Sequence, residues 1–199
     1  MKDVYKRQVH YQAVYPFFYY WAARVARDLI TAKTGAVVYT KRDKGAQYEW
    51  DGVQVLRIQL FKPIPHGRFL SISIRKSIQQ IVNSNAEADF IPDIIVGHFP
   101  NPQIEVVAKL KSIYSSATTA IIMHENFDLD GVYGERFKCF YNKIDLWGFR
   151  SKKYREDFEE RYGKLKHSFI CYSGCLLYTS VNGVALLEVP LQVLVDRIK

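Results

Sequence analysis

The sequence has few cysteines and no long apolar run. Its 199 residues include three cysteines, an odd number without paired spacing, which argues against a disulfide framework. None of them has zinc-ligand spacing to a histidine. The aromatic run at residues 15–21 is too short to span a bilayer, and Arg24 and Arg27 follow it closely. We therefore expect a protein of a reducing, cytoplasmic compartment, without a signal peptide.

Several motifs that carry familiar chemistry are also missing. The sequence has no phosphate-binding P-loop and no GxGxxG turn, so a dinucleotide oxidoreductase lacks its fingerprint. It has no HExxH zinc motif and no GxSxG nucleophile elbow, so a zinc protease and a serine hydrolase have no support either.

Basic residues outnumber acidic ones by 28 to 20, which gives a formal net charge of +8 and a pI near 9.3. The basic residues are scattered, and the densest group, at residues 150–166, is interspersed with acids. This pattern favours a solvated helix face over a nucleic-acid site, so we expect no nucleic-acid partner. The charge is compatible with peripheral contact at the anionic inner face of a bacterial membrane.

A strand–helix–strand unit is the clearest structural signal. Residues 94–96 and 118–123 are almost continuously apolar, and a helical pattern at about 102–114 separates them. Continuous apolar strands that alternate with helices indicate a parallel sheet with helices on both faces, joined by a right-handed crossover. The expected fold class is therefore α/β, with a Rossmann-like parallel sheet.

Other elements follow from local signals. Asp51-Gly52 predicts a tight turn between strands at 48–50 and 53–56. Ser151 is a candidate N-cap for a polar helix that ends at residue 162. Further predicted elements are an amphipathic helix built on Phe18, Trp21, Ala22, Val25 and Leu29 that ends near Gly35, a helix at 70–81, and strands at 36–40, 144–149 and 168–172.

His98 and His124 each follow one of the two apolar strands. In an open parallel sheet, ligands bind outside the carboxyl ends of the strands, so both histidines are candidate site residues that should lie at one edge of the sheet and face one open cleft. The alternative is a pair of structural, hydrogen-bonded histidines.

Acidic residues crowd the loop after His124, and nearby carboxylates are expected to raise the pKa of that imidazole. These acids are Glu125, Asp128 and Asp130, for which a solvated loop or helix caps are the alternative.

Four segments resemble family 4 glycosyltransferases. PDIIVGHFPNP at residues 92–102 and TTAIIMHENFD at 118–128 resemble two successive strand ends of that family. Residues 147–163 resemble the next strand and helix, and 168–174 resemble the connection into a second domain. The likeness runs from about residue 17 to residue 174, and its order and spacing are more specific than any single motif.

The resemblance implies one half of a two-domain GT-B fold. This half would bind a sugar or lipid-linked acceptor, and a missing C-terminal domain would bind the nucleotide sugar through a pair of glutamates. Transfer would retain anomeric configuration, without a cofactor or bound metal, in cell-surface polysaccharide or glycolipid synthesis. His124 matches the family's T-x-H histidine and is the expected catalytic residue. The expected substrate-binding residues are His98, Asn101, Glu125, Asp128 and Arg150.

The family pattern is not matched throughout. Glu125 stands where the family usually has glycine, and the family's first strand with its Gly-rich loop is not recognisable before Phe17. VYKRQ at residues 4–8 and CLLYTS at 175–180 resemble translated sequencing-adapter read-through. We therefore expect a domain at residues 9–174 with non-native ends at 1–8 and 175–199, the alternative being a genuine terminal strand or helix.

Two other functions remain open from the sequence. One is a non-enzymatic α/β binding or interaction domain, and the other is a one-domain α/β enzyme of another class. Such a fragment of a glycosyltransferase is expected to be inactive alone, because the donor half and its glutamate pair are absent.

Overall fold

The structure, a computed structural model, describes residues 7–34, 47–50, 52–63, 68–124 and 127–171. The strand expected at 36–40 and the expected helix end at Gly35 lie outside these ranges. Glu125 and the tail at 175–199 lie outside them too.

Seven strands and six helices form the described part of the chain. The strands are β1 (Arg7–Val14), β2 (Gln47–Trp50), β3 (Val53–Phe61), β4 (Ile94–His98), β5 (Thr118–Met123), β6 (Leu146–Phe149) and β7 (Ser168–Ile170). The helices are α1 (Phe17–Thr34), α2 (Ser71–Glu87), α3 (Gln103–Ile113), α4 (Leu129–Tyr133), α5 (Arg136–Tyr141) and α6 (Lys152–Tyr162).

The strands form two sheets. In the first, β3 lies between β1, which is parallel to it, and β2, which is antiparallel. The second has the order β4-β5-β6-β7, and every pair in it is parallel. A four-stranded, all-parallel sheet flanked by helices confirms the expected Rossmann-like α/β class.

Local sequence patterns predicted the ends of several helices and strands correctly. Gly52 has φ of 72°, the left-handed conformation that a tight turn between β2 and β3 needs. The Ser151 side chain accepts a hydrogen bond from the Tyr154 N–H at 3.2 Å, so it is the N-cap of α6. Helix α1 continues through Thr34 but has non-helical backbone angles at Ala26.

Helix α3 packs into two hydrophobic clusters. Ile104, Val107 and Ala108 belong to the core beside the parallel sheet, with Ile121 and Trp147. Val106 and Leu110 belong to a second cluster, which includes Ile74, Ile78 and Ile81 of α2 and Ile58 and Leu60 of β3. Because its residues belong to both clusters, α3 couples the first sheet and α2 to the parallel sheet.

The first strand was not predicted. Strand β1 begins at Arg7, inside the segment expected to be non-native, and pairs with β3 from Arg7↔Gln54 to Val14↔Phe61. Only Val9, Tyr11 and Ala13 supply its apolar alternation, which is too short a pattern to identify a strand by itself. Among the described residues, no helix combines the length and the apolar character that crossing a bilayer requires.

Candidate active site at the carboxyl edge of the parallel sheet

Neighbouring strand ends bring His98 and His124 together. His98 is the last residue of β4 and lies opposite Ile122 of β5, and His124 follows β5 directly. Their Nδ1 and Nε2 atoms are 3.2 Å apart, within hydrogen-bonding distance. The expectation that both histidines lie at one edge is therefore confirmed.

Phe99 shapes the same edge. Its φ of 66° is in the left-handed region, which is unusual for a bulky residue. Its N–H donates to the Ile122 carbonyl at 3.1 Å, so the turn is tied to β5. The Phe99 ring stacks on His124 with centroids 4.2 Å apart and an interplanar angle of 19°. The turn thus places an aromatic surface against the candidate catalytic ring.

The electrostatics of the pair differ from the sequence expectation. Burial lowers the pKa of His98. Burial also lowers the pKa of His124, and the positive charges of His98 and Arg150 lower it further. The expectation that loop carboxylates raise the pKa of His124 is wrong. Both rings therefore favour the neutral form near neutral pH.

The carboxylates of Asp128 and Asp130 bind another partner. Arg161 of α6 donates to Asp128 Oδ1 at 2.9 Å and to Asp130 Oδ2 at 3.2 Å. This guanidinium neutralises two of the three charges that the sequence analysis expected near His124, and the third, Glu125, lies outside the described residues.

Arg150 lies where the sequence placed it, directly after β6. Its N–H donates to the Met123 carbonyl at 3.3 Å, and its side chain is close enough to His124 to lower that pKa. An arginine beside a neutral imidazole pair supplies the positive charge at this edge.

A cleft of about 470 Å³ opens beside the histidine pair. Its walls come from the residues after β3 and β4, from the loop before α4 and from α4 itself: Lys62, Phe99, Pro100, Asn101, Phe127, Asp128 and Val132. Two of the expected substrate-binding residues, Asn101 and Asp128, are thus brought to one cleft with the ring that stacks on His124. Its volume is in the range of small-ligand sites.

The sequence analysis did not predict Lys62 as a site residue. It follows β3, and its N–H donates to the Val14 carbonyl at 2.8 Å, so the ends of β1 and β3 position it. Its Nζ lies 5.1 Å from the centroid of the Phe69 ring, and burial lowers its pKa. The strand-end rule would have identified Lys62 if β3 had been predicted as far as Phe61.

The site offers polar groups rather than a metal cage. In the ranges that the structure covers, no group of three or more His, Cys, Asp or Glu side chains could hold a metal ion. Neither imidazole is among the residues that line the cleft, although the Phe99 ring that does so stacks on His124. The amide, the carboxylate and the amine that line it, beside two aromatic rings, are suited to hydroxyl and phosphate groups.

No model of a known protein family and no curated protein sequence matches the chain.

Proposed function

We propose that this chain supplies the acceptor-binding side of a retaining glycosyltransferase of family 4, with a GT-B architecture. The observation that carries the proposal is the contact between His98 and His124 beside a cleft of about 470 Å³. The sequence resemblance puts the family's T-x-H histidine at His124. The proposed acceptor is a sugar or a lipid-linked sugar on the way to a cell-surface polysaccharide or glycolipid.

The tautomers of the pair suggest how it would hold a hydroxyl group. A hydrogen bond between His98 Nδ1 and His124 Nε2 needs one donor and one acceptor. If His98 donates, its Nε2 is free to accept and His124 Nδ1 carries a proton. If His124 donates instead, His98 Nε2 carries a proton and His124 Nδ1 is free to accept. In either case a neutral pair presents one donor and one acceptor, which matches a sugar hydroxyl that does both.

The remaining roles follow from chemistry. The proposed role of His124 is to position the reacting sugar, with the Phe99 ring against one side of the imidazole. Lys62 would face an acceptor phosphate, and Asn101 and Asp128 would bind acceptor hydroxyls across the cleft. Nucleotide-sugar binding and support of the departing diphosphate are assigned to a second domain, without cofactor or metal.

Acceptor binding by the full 199-residue chain tests the proposal. Saturation-transfer NMR would use short-chain polyprenyl diphosphates with and without a sugar, and UDP-, GDP- and dTDP-sugars. We expect saturation transfer to the sugar-carrying diphosphates and, in protein-observed NMR spectra, shifts in the ring resonances of His98 and His124. We expect no turnover of any donor. His124→Ala should weaken binding, whereas His167→Ala, on an exposed loop before β7, should not.

Two outcomes would contradict the proposal. Turnover of a nucleotide sugar by this chain unaided would favour a one-domain enzyme. Failure to bind any acceptor in the panel, by a chain whose circular dichroism shows that it is folded, would favour a non-enzymatic interaction domain.

A further inference from the structure

A second pocket lies between α6 and the ends of β5 and β6. Its volume is about 130 Å³, and a cavity of about 150 Å³ holds one benzene molecule, so it has room for one small group. Five of the side chains that line it are aromatic, and they define the aromatic pocket: Phe127, Phe149, Tyr154, Phe158 and Tyr162.

The walls of the aromatic pocket are fixed by the fold. The Phe158 ring lies 5.3 Å from the Phe149 ring and 4.8 Å from the Tyr162 ring, measured between centroids. Met123, Phe149 and Phe158 are buried in the core beside the parallel sheet. Tyr154 and Tyr162 are partly buried against the same core. The pocket therefore presents the surfaces of packed aromatic rings.

Acidic side chains outnumber basic ones at this pocket. Asp157 and Arg161 line it, and Arg161 is the basic residue among the described lining residues. The Arg161 guanidinium also pairs with Asp128 at 2.9 Å and with Asp130 at 3.0 Å. Three carboxylates against one guanidinium leave these four side chains with an excess of negative charge. The charge favours an organic cation over an organic anion.

The rings add a second reason to expect a cation. The face of an aromatic ring carries partial negative charge and attracts ammonium and guanidinium groups. Arg161 Cζ already lies 5.4 Å from the centroid of the Tyr162 ring. Because Asp128 and Asp130 neutralise this guanidinium, it does not exclude a further cation. A quaternary ammonium suits the remaining space, since its methyl groups need no hydrogen-bond acceptors and can contact several rings at once.

We propose that the aromatic pocket binds the trimethylammonium group of a small organic cation. Drug-sized ligands occupy pockets of about 300 Å³ or more, so the head group alone would enter. A phosphate next to the ammonium would face the carboxylates of Asp128, Asp130 and Asp157, so we expect a free alkylammonium compound and not the phosphocholine headgroup of a lipid. The inference stands on this pocket and does not depend on glycosyl transfer.

Titration of the full 199-residue chain with choline tests the inference. The chain has two methionines, so methyl-labelled methionine gives NMR signals from Met1 and Met123, and Met123→Leu identifies the second. Met123 lines the pocket, and we expect choline to shift its signal saturably. The uncharged alcohol 3,3-dimethylbutan-1-ol has the shape of choline without its charge. It should bind at least about fivefold more weakly. Phosphocholine should also bind more weakly than choline.

Matched variants locate the site. Tyr154→Leu should weaken choline binding at least about threefold, whereas Tyr154→Phe keeps the ring and should bind choline as the wild type does. Asp157→Asn should weaken the binding of choline but not of the alcohol. Two controls should leave choline binding within about twofold. Tyr48→Leu changes a tyrosine of β2 whose ring centroid lies 4.9 Å from Arg57 Cζ, and Glu156→Gln changes an exposed carboxylate of α6.

The inference fails if choline leaves the Met123 signal unchanged. It also fails if choline and the alcohol bind equally well, because the pocket would then select an apolar shape alone. Tighter binding of phosphocholine than of choline would overturn it too, since Arg161 would then select an anion. An equal loss of choline binding in Glu156→Gln and Asp157→Asn would show that the charge of α6, and not the pocket, attracts the ligand.

Discussion

His98 Nδ1 and His124 Nε2 lie 3.2 Å apart at the ends of two adjacent parallel strands. The contact couples the two rings, because a proton that charges one ring raises the cost of charging the other. Burial acts in the same direction on both histidines, and Arg150 adds to it at His124. The pair is thus held neutral by its surroundings.

This arrangement predicts acid-sensitive stability. At pH well above 6.5 the rings are neutral in both the folded and the unfolded chain, so they do not make stability depend on pH. As pH falls below about 6.5, the unfolded chain takes up protons that the folded pair resists. The free energy of unfolding should therefore decrease until pH passes the lowered pKa values of the folded state. Urea unfolding between about pH 5 and pH 8 measures this dependence.

Glutamine substitutions distinguish the effect of the histidine pair on pH-dependent stability from the effects of other titrating groups. His98→Gln with His124→Gln should flatten the loss of stability below about pH 6.5, because glutamine keeps hydrogen-bonding capacity without a titrating proton. His167→Gln is the control, since His167 is exposed and contributes its carbonyl to Trp147. An unchanged pH slope in the double variant would show that the pair is not the source.

We predict that the backbone of Phe99 lowers stability, whereas its ring contributes to acceptor binding. A non-glycine residue in the left-handed region costs about 1–2 kcal/mol, and Phe99 has φ of 66°. Its side chain is 51% exposed, so burial of the ring stabilises the fold less than burial of a fully enclosed phenylalanine would. Phe99→Gly should therefore be more stable than Phe99→Ala by about 1 kcal/mol in urea unfolding. Both variants should bind the proposed acceptor more weakly than the wild type, since both lose the ring stacked on His124.

The comparison between the two variants is the internal control, because both remove the same ring. Equal stability of Phe99→Gly and Phe99→Ala would mean that the left-handed turn costs nothing here. Unchanged acceptor affinity in both would remove Phe99 from the site.

Local sequence patterns were sufficient for some parts of the fold. Strand β5 has the predicted bounds because an apolar run lies between a polar loop and His124. The β2–β3 turn and the cap of α6 each depend on residues within a few positions of Gly52 and Ser151. The meeting of His98 with His124 followed from the rule for parallel strand ends.

The remaining features depend on contacts that sequence spacing does not specify. Lys62 reaches the cleft because β1 pairs with β3 across more than forty residues. Arg161, which is 33 residues from Asp128 in sequence, draws that carboxylate into an ion pair, and the expected effect on His124 was therefore wrong. Helical periodicity predicted an amphipathic α1 but could not show that apolar residues on it, such as Trp21 and Val25, are exposed.

Close packing at Gly97 gives a prediction about stability. A Cβ added there would lie 2.8 Å from Ile121 Cδ1, 2.9 Å from Gln103 Cβ and 3.0 Å from Val107 Cγ2. The Gln103 Cβ is fixed to the backbone of α3, so rotation of a side chain cannot relieve that contact. Gly97→Ala should destabilise the chain by about 1–3 kcal/mol in urea unfolding.

Gly148 on β6 is the matched control for Gly97. An added Cβ there would meet the far end of the Phe169 ring at 2.7 Å, and Phe169 is partly exposed on β7. Because that ring can turn away, Gly148→Ala should cost less than Gly97→Ala. The opposite order would show that α3 yields more readily than the edge of the sheet.

Lys62 provides the last prediction, because burial lowers its pKa while it lines the cleft. Since the folded-state pKa is below the unfolded value, the cost of burying the charged amine is present at neutral pH. That cost disappears as pH rises through the folded-state and then the unfolded-state pKa.

Lys62→Met keeps the length of the side chain without the charge, so it should not lower stability at pH 7 and should weaken binding of inorganic pyrophosphate. Lys76→Met, on an exposed position of α2, should leave pyrophosphate binding unchanged. Calorimetric titration with pyrophosphate, at constant ionic strength, measures the difference. Equal affinity of the wild type and Lys62→Met would show that Lys62 does not hold an acceptor phosphate, whatever group the histidine pair binds.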